Sequence, residues 1–174
     1  MITVLSDTHS TSGHELEGRA REAVEAADAV VHAGDFTNEA ALDAFREVCE
    51  RLYAVHGNNA TPGVCDRLPP ERTVEVAGVR FVLTHGDGQS ATALSLLGRQ
   101  QAADAVVFGH SHRHAVSHGE DVVLLNPGSH ADPRGGRPTH AELRPRGGDA
   151  EGDGRLTGEI RHRDGSVLEA FEIR

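Results

Sequence analysis

The sequence predicts an α/β fold, and three observations carry that reading. Short apolar runs alternate with helix-patterned stretches over the first part of the chain. Most of those runs end in an Asp, Asn or His. From residue 115 the helical pattern gives way to alternating strands around tight turns. Strand-helix alternation implies parallel strands covered by helices, and the hairpins add antiparallel pairs.

Taken in order, residues 2–7 form an apolar run closing on Ser6 and Asp7. Residues 13–28 carry Leu16, Ala20, Ala23, Val24 and Ala27 at helical spacing. The unit repeats with a strand over 29–35 ending in Gly34-Asp35, a helix over 38–50 with Ala41, Phe45 and Val48 on one face, and a strand over 52–59. Residues 73–87 read as a hairpin turning at Gly78, with Val74, Val76, Val79, Phe81 and Leu83 around it. A helix over 91–104 and a strand over 105–112, ending in histidines, follow. Residues 115–129 and 156–174 read as helix-free hairpins, the first turning at Gly119-Glu120-Asp121 and the second at Asp164-Gly165. Between them, residues 144–155 are rich in Gly and charge and are expected to form a mobile loop. One domain is expected over the whole of residues 1–174, since no linker or internal repeat interrupts them.

Composition narrows the function. The chain has 174 residues, 17 Arg and no Lys, and a formal net charge of −10. That balance opposes tight nucleic-acid binding, which depends on cationic side chains displacing counterions from phosphates. No apolar run reaches the roughly 20 residues that cross a bilayer, so no membrane role and a cytoplasmic location are expected. Cys49 and Cys65 lie outside any Cys-x-x-Cys pattern and read as reduced thiols.

The residues that stop the strands are the informative ones. Asp7 and His9 follow the first strand, Asp35 the second, Asn58 the third, His85 the hairpin, and His110 and His112 the next strand. Each alone could cap a helix or make a turn. Seven nitrogen and oxygen donors at five successive strand ends, spaced 28, 23, 27 and 25 residues apart from Asp7 to His110, instead point to one metal site at the carboxyl edge of the sheets. Imidazole and oxygen donors without thiolate suit manganese, with nickel, zinc, iron or cobalt as alternatives.

The motifs Asp7-x-His9, Gly34-Asp35, Gly57-Asn58, Thr84-His85-Gly86 and Gly109-His110-Ser111-His112 resemble those of the calcineurin-like metallophosphoesterase superfamily. Their order is similar to that of its small single-domain phosphodiesterases, a branch that includes a eukaryotic retromer subunit. The resemblance continues through Asn126-Pro127-Gly128-Ser129 and Pro133-Arg134. It implies a four-layer αββα sandwich of two facing mixed sheets and two divalent metal ions per chain. Asp7, His9 and His112 would hold one ion, Asn58, His85 and His110 the other, and Asp35 would bridge them. A carboxylate with two free oxygens suits that bridging role.

The implied activity is phosphodiester hydrolysis of a small phosphate ester by a water or hydroxide held between the metals, with Asp35, Asn58 and His85 as the central catalytic residues. Asn58 and Asn59 are expected against substrate. Asn59 departs from the many relatives that have a proton-donating His at this place, and an amide cannot protonate a leaving alkoxide. His32 is expected to support Asp35 from behind. His56 and His114 flank the ligand motifs, while His14, His118, His130, His140 and His162 read as surface residues. Phosphomonoester or nucleotide hydrolysis on the same site is the nearest alternative. A non-catalytic interaction scaffold on the same fold is the rival of another class, and homo-oligomerisation is left open.

Overall fold

Alternation along each strand decides which side chains it buries on which face, and here that builds two sheets back to back. The computed structural model describes residues 1–146 and 155–174. Strands β1 (Ile2–Leu5), β2 (Ala29–His32) and β3 (Leu52–Ala54) run parallel, connected by helices α1 (Gly18–Glu25) and α2 (Glu39–Val48). A single helical turn, α3 (Pro62–Cys65), follows β3. The second sheet takes β4 (Glu71–Val76), β5 (Val79–Thr84), β6 (Ala105–Val107), β7 (His114–His118) and β8 (Val123–Pro127) in the order β4-β5-β6-β8-β7. Helix α4 (Ala91–Gln100) links β5 to the parallel β6. The chain then returns to the first sheet as β9 (Thr139–Pro145), β10 (Leu156–His162) and β11 (Val167–Ile173), giving the order β11-β10-β9-β1-β2-β3.

Ile2 and Val4 of β1, Phe81 and Leu83 of β5, Leu125 of β8 and Ile160 of β10 meet between the sheets. The intervening positions point outward. Leu5 and Val30 pack under Ala20, Val24, Leu42 and Phe45 of the first two helices. Val82, Val106 and Leu124 pack under Leu94 of α4. The result is the expected four-layer αββα sandwich. Three helices start on side-chain caps: Asn38 accepts from Ala41 N–H at 2.9 Å, Thr61 from Val64 N–H at 3.4 Å and Ser90 from Ala93 N–H at 3.2 Å.

Some expectations are corrected. Strand β9 was not foreseen, because its outward positions carry His140 and Glu142. Both are nevertheless buried: Glu142 accepts a bidentate pair from Arg19 at 2.6 and 2.8 Å and a third bond from Arg144 at 2.8 Å. His130 is buried as well, so neither it nor His140 is a surface residue. Helix α1 starts at Gly18 rather than 13, because Glu15 and Gly18 adopt positive φ and break the turn. Of the expected loop 144–155, Arg144 and Pro145 belong to β9 and Arg146 N–H bonds Arg155 O at 3.0 Å, while 147–154 fall outside the described residues. Among the described residues no helix is long and apolar enough to cross a membrane.

Candidate metal centre

The loops that leave β1, β2, β3, β5 and β6 meet at one edge of the sandwich. Five of the seven expected ligands, Asp7, His9, Asp35, His110 and His112, have φ between 45° and 68°. Left-handed backbone costs a non-glycine residue about 1–2 kcal/mol, and such strain gathers where a fold must aim a side chain. Glycines let the loops touch. A Cβ at Gly57 would stand 2.1 Å from Asp35 Oδ1, and one at Gly109 2.7 Å from Asp7 Oδ2.

Asp7, Asp35, His85 and His112 are almost fully buried, His9 is half-buried, and Asn58 and His110 are exposed. Donor atoms of Asp7, His9 and His112 lie within 4.8 Å of one another, as do those of Asp7, Asp35 and His85. His9 Nε2 is 2.9 Å and His85 Nε2 3.2 Å from Asp35 Oδ2. His112 Nε2 is 3.5 Å from Asp7 Oδ1. Asn58 Oδ1 and His110 Nδ1 are 3.1 Å apart, and the His110 ring stands edge-on to His85 at 5.3 Å. The structure therefore brings all seven together, with Asp7 central to both compact groups and Asn58 and His110 at the open rim.

The far side of each ring fixes its tautomer. His85 Nδ1–H donates to Ala33 O at 2.9 Å, and His112 Nδ1–H donates to Asp132 O. Each leaves an Nε2 lone pair facing the carboxylates. Asp7 is held by Ser6 Oγ–H at 2.8 Å and by His110 N–H at 3.1 Å, while Ser129 Oγ–H bonds the Asp7 carbonyl at 2.7 Å. Asn126 Nδ2–H donates to Gly109 O at 2.8 Å, so the Asn-Pro-Gly-Ser turn ties the His110 loop to the Asp7 loop. From the sequence this segment reads first as a turn and second as a loop bordering the site.

Asn59, expected against substrate, is placed with both of its donors on Asp35: its backbone N–H reaches Oδ1 at 3.0 Å and its amide Nδ2–H reaches Oδ2 at 2.8 Å. His32 does not touch the Asp35 carboxylate. It accepts from Gly34 N–H at Nδ1 (3.3 Å) and bonds Thr8 Oγ at Nε2 (2.8 Å), joining the residue before Asp35 to the residue between Asp7 and His9. Complete burial among Phe36 and Phe45 pushes His32 well below its ordinary pKa.

Burial raises the Asp7 carboxyl above its ordinary value, in spite of Ser6 and the neighbouring imidazoles. Burial acts on Asp35 in the same direction, but close contacts with His85, His9 and Asn59 outweigh it and hold that carboxyl well below its usual range. Burial would lower His85, and the Asp35 carboxylate raises it instead. Cations fit this arrangement on an observation of the protein itself. His9 Nε2 and His85 Nε2 are buried without an aligned hydrogen bond, although carboxylate oxygens stand near both. Two buried lone pairs beside carboxylates, and no thiolate, make a site for divalent ions that take nitrogen and oxygen ligands.

Comparison with known proteins agrees with this geometry. Residues 1–144 match the model of the calcineurin-like phosphoesterase superfamily domain. A probable metallophosphoesterase of Methanocaldococcus jannaschii is 30% identical over 139 residues, covering 77% of this chain and 70% of its own. A phosphodiesterase of the same organism is 26% identical over 141 residues, 73% of this chain and 82% of its own. Among solved structures, zinc-complexed wild-type Vps29 of Entamoeba histolytica superposes with a TM-score of 0.75 at 20% identity, covering 99% of this chain and 97% of its own. That likeness concerns the fold.

Proposed function

The chain belongs to the calcineurin-like phosphoesterase superfamily, and from that premise we propose that it is a metal-dependent phosphoesterase that hydrolyses phosphodiesters with two divalent cations at the described centre. The observation that carries this reading is the pair of buried imidazole nitrogens, His9 Nε2 and His85 Nε2, beside Asp35 without an aligned hydrogen bond. Asp7, His9 and His112 would hold one cation, Asn58, His85 and His110 the other, and Asp35 both. The donor set suits manganese, iron, zinc, cobalt or nickel, and manganese is proposed as the first of these. The phosphodiesterase name borne by one relative supports the substrate class.

When bound, the cations supply charge neutralisation at the phosphoryl oxygens and a lowered pKa for the attacking water. The protein's own residues do the rest. Asn59 donates to both oxygens of Asp35 and so orients the carboxylate that would be shared by the two cations. Ala33 O and Asp132 O keep His85 and His112 in the tautomer that presents Nε2. Were Asn58 to hold a cation through Oδ1, its exposed amide N–H would be left to meet a phosphoryl oxygen. Asn59 has no acidic proton to give the departing alkoxide, which favours leaving groups stable as anions.

The test is hydrolysis of bis(p-nitrophenyl) phosphate by protein stripped with a chelator and then titrated with manganese. The expected result is no turnover in the stripped protein and recovery that saturates at two equivalents. Turnover that survives stripping overturns the reading. So does a complete lack of turnover with manganese, nickel, zinc, iron and cobalt, which would leave a non-catalytic interaction scaffold as the reading.

A further inference from the structure

Apart from the seven expected ligands, two more imidazoles are buried with a nitrogen to spare. His130 and His140 are 3% and 1% exposed, and Nδ1 of each has no hydrogen-bond partner among the described residues. The other nitrogen is occupied in both rings: His130 Nε2–H donates to His14 O at 3.0 Å, and His140 Nε2–H donates to Glu142 Oε1 at 3.2 Å. A neutral imidazole with its proton on Nε2 keeps a bare lone pair on Nδ1. Burial pushes the His130 pKa down to about 4, so that ring is neutral at pH 7. Both rings border one crevice between the start of α1, the start of β9 and the turn from β10 to β11, with Glu17, Ala20 and Arg163 on its other walls. The partners of the two Nε2 atoms, His14 and Glu142, lie off these walls, which leaves the Nδ1 edges toward the crevice. The crevice is too narrow for a water molecule, so hydration does not satisfy the two lone pairs. At its mouth the exposed Glu17 pairs with Arg163 at 2.8 Å.

We infer that this crevice is a further cation site, separate from the centre described above, in which His130 Nδ1 and His140 Nδ1 hold a zinc ion and Glu17 turns from Arg163 to add a carboxylate oxygen. Two facing lone pairs have nothing to offer an anion, and a bare ion, smaller than water, needs room only for its bonds. Imidazole nitrogens with one carboxylate form a zinc donor set. Manganese, the weakest binder in the first-row order, has little hold on such a set. The ion would tie the start of α1 to the first sheet, where Arg19 N–H already bonds Arg163 O at 2.9 Å. The inference goes beyond the proposed activity and does not rest on it, because none of these residues belongs to the centre.

The experiment counts the zinc bound per chain when the chelator-stripped protein is titrated by calorimetry. The wild type is expected to take one equivalent more than the His130→Gln, His140→Gln double variant. Because the result is a difference between two proteins, it reads the same however many ions the centre holds, and a failure of the phosphodiesterase reading would show separately as absent turnover. Equal stoichiometry in the two proteins overturns the inference. Two further measurements keep it open to refutation if the double variant does not fold. In the wild type the Nδ1 resonances of His130 and His140, followed by nitrogen-15 NMR, should move together as zinc is added, and resonances that stay in place at zinc saturation overturn the inference. Glu17→Gln, a change at an exposed position, should weaken the extra equivalent by about tenfold and leave the others as they were. Unchanged affinity for every equivalent in that variant overturns the ligand set.

Discussion

Asp7, Asp35, His85 and His112 are at most 2% exposed, and each is braced by a second partner, whereas Asn58 and His110 stand at the rim and lean largely on each other. The buried members are clamped from behind by Ser6, Asn59, Ala33 O and Asp132 O. On the proposed function, a centre built this way would have its inner donors in place before a cation arrives and would leave its outer pair to settle around one. Rigidity on one side and openness on the other suit a site that must hold metal firmly and still admit a substrate.

Replacing Asp35 should disturb both proposed cation positions at once, because its Oδ2 stands 2.9 Å from His9 Nε2 and 3.2 Å from His85 Nε2. Asp35→Ala is expected to lower kcat/KM for bis(p-nitrophenyl) phosphate by at least about a thousandfold, on the scale of removing a residue on which a whole catalytic unit depends. Calorimetry should also show that neither cation binds with its former affinity. Binding of one equivalent at wild-type affinity would mean that the two sides are separate.

Beneath the buried side lie imidazoles that the fold keeps neutral. Burial pushes His130 down to about 4, and its ring packs 6.0 Å from Phe45. An unfolded chain restores a His pKa of about 6.5. The folded pKa is the lower one, so the contribution to stability is full above about 6.5 and is lost as pH falls toward 4, where the unfolded chain takes up a proton that the fold refuses. The shift corresponds to roughly 3 kcal/mol. Urea unfolding of metal-free protein at pH 7 and pH 4.5 should show this loss in the wild type and a smaller one in His130→Gln. Equal losses in both would place the acid sensitivity elsewhere, with His32 the next residue to vary.

The same contrast explains what the sequence made legible. The seven proposed ligands stand out in the sequence because each ends a strand, and the parallel strands of a sheet deliver their carboxyl ends to one edge. The inner bracing could not, because it runs through backbone carbonyls such as Ala33 O and through hydroxyls of Ser6 and Ser129 that are common in any loop. His32 stood out as a histidine in an apolar strand, yet its partners, Gly34 N–H and Thr8, are visible only in three dimensions. Strand β9 escaped notice for a related reason. Its alternation of Ala141 and Leu143 with His140 and Glu142 looks half-exposed until Arg19 of α1 is seen to bury the carboxylate. Burial raises the Glu142 pKa, but His140 and Arg19 outweigh it and hold the group ionised.

Removing one ligand from each side sharpens the contrast. His85→Ala takes away a braced, buried donor, and His110→Ala takes away an exposed one whose ring contacts are Asn58 and His85. Metal affinity at the weaker site should fall about a hundredfold in the first and about tenfold in the second, bracketing the usual effect of changes at and just behind a metal ligand. Manganese titration of each variant gives the comparison, and a larger loss in His110→Ala would reverse the order proposed for the two sides.

Asn59 sits where the two sides meet, and the smallest effect separates its possible roles. If it serves only to orient Asp35, then Asn59→Ala should lower kcat/KM by about tenfold for every substrate alike, as for other residues that position a metal ligand. The slope of rate against leaving-group pKa should stay as steep as in the wild type, because no proton donor has been removed. Asn59→His loses the amide bond to Asp35 at 2.8 Å but introduces an acid. A well-placed acid is worth about 10²–10⁴-fold, and one set down on an unprepared loop should realise only a few-fold, seen with alkyl leaving groups and not with aryl ones. The ratio of aryl to alkyl diester rates should therefore narrow in Asn59→His and stay unchanged in Asn59→Ala. A wild-type rate that barely depends on the leaving group would show that another residue already supplies the proton or that a non-chemical step limits turnover. In that case a fall in the alkyl rate alone on replacing His56, which lines a cleft together with Asn58 and His85, would identify the donor.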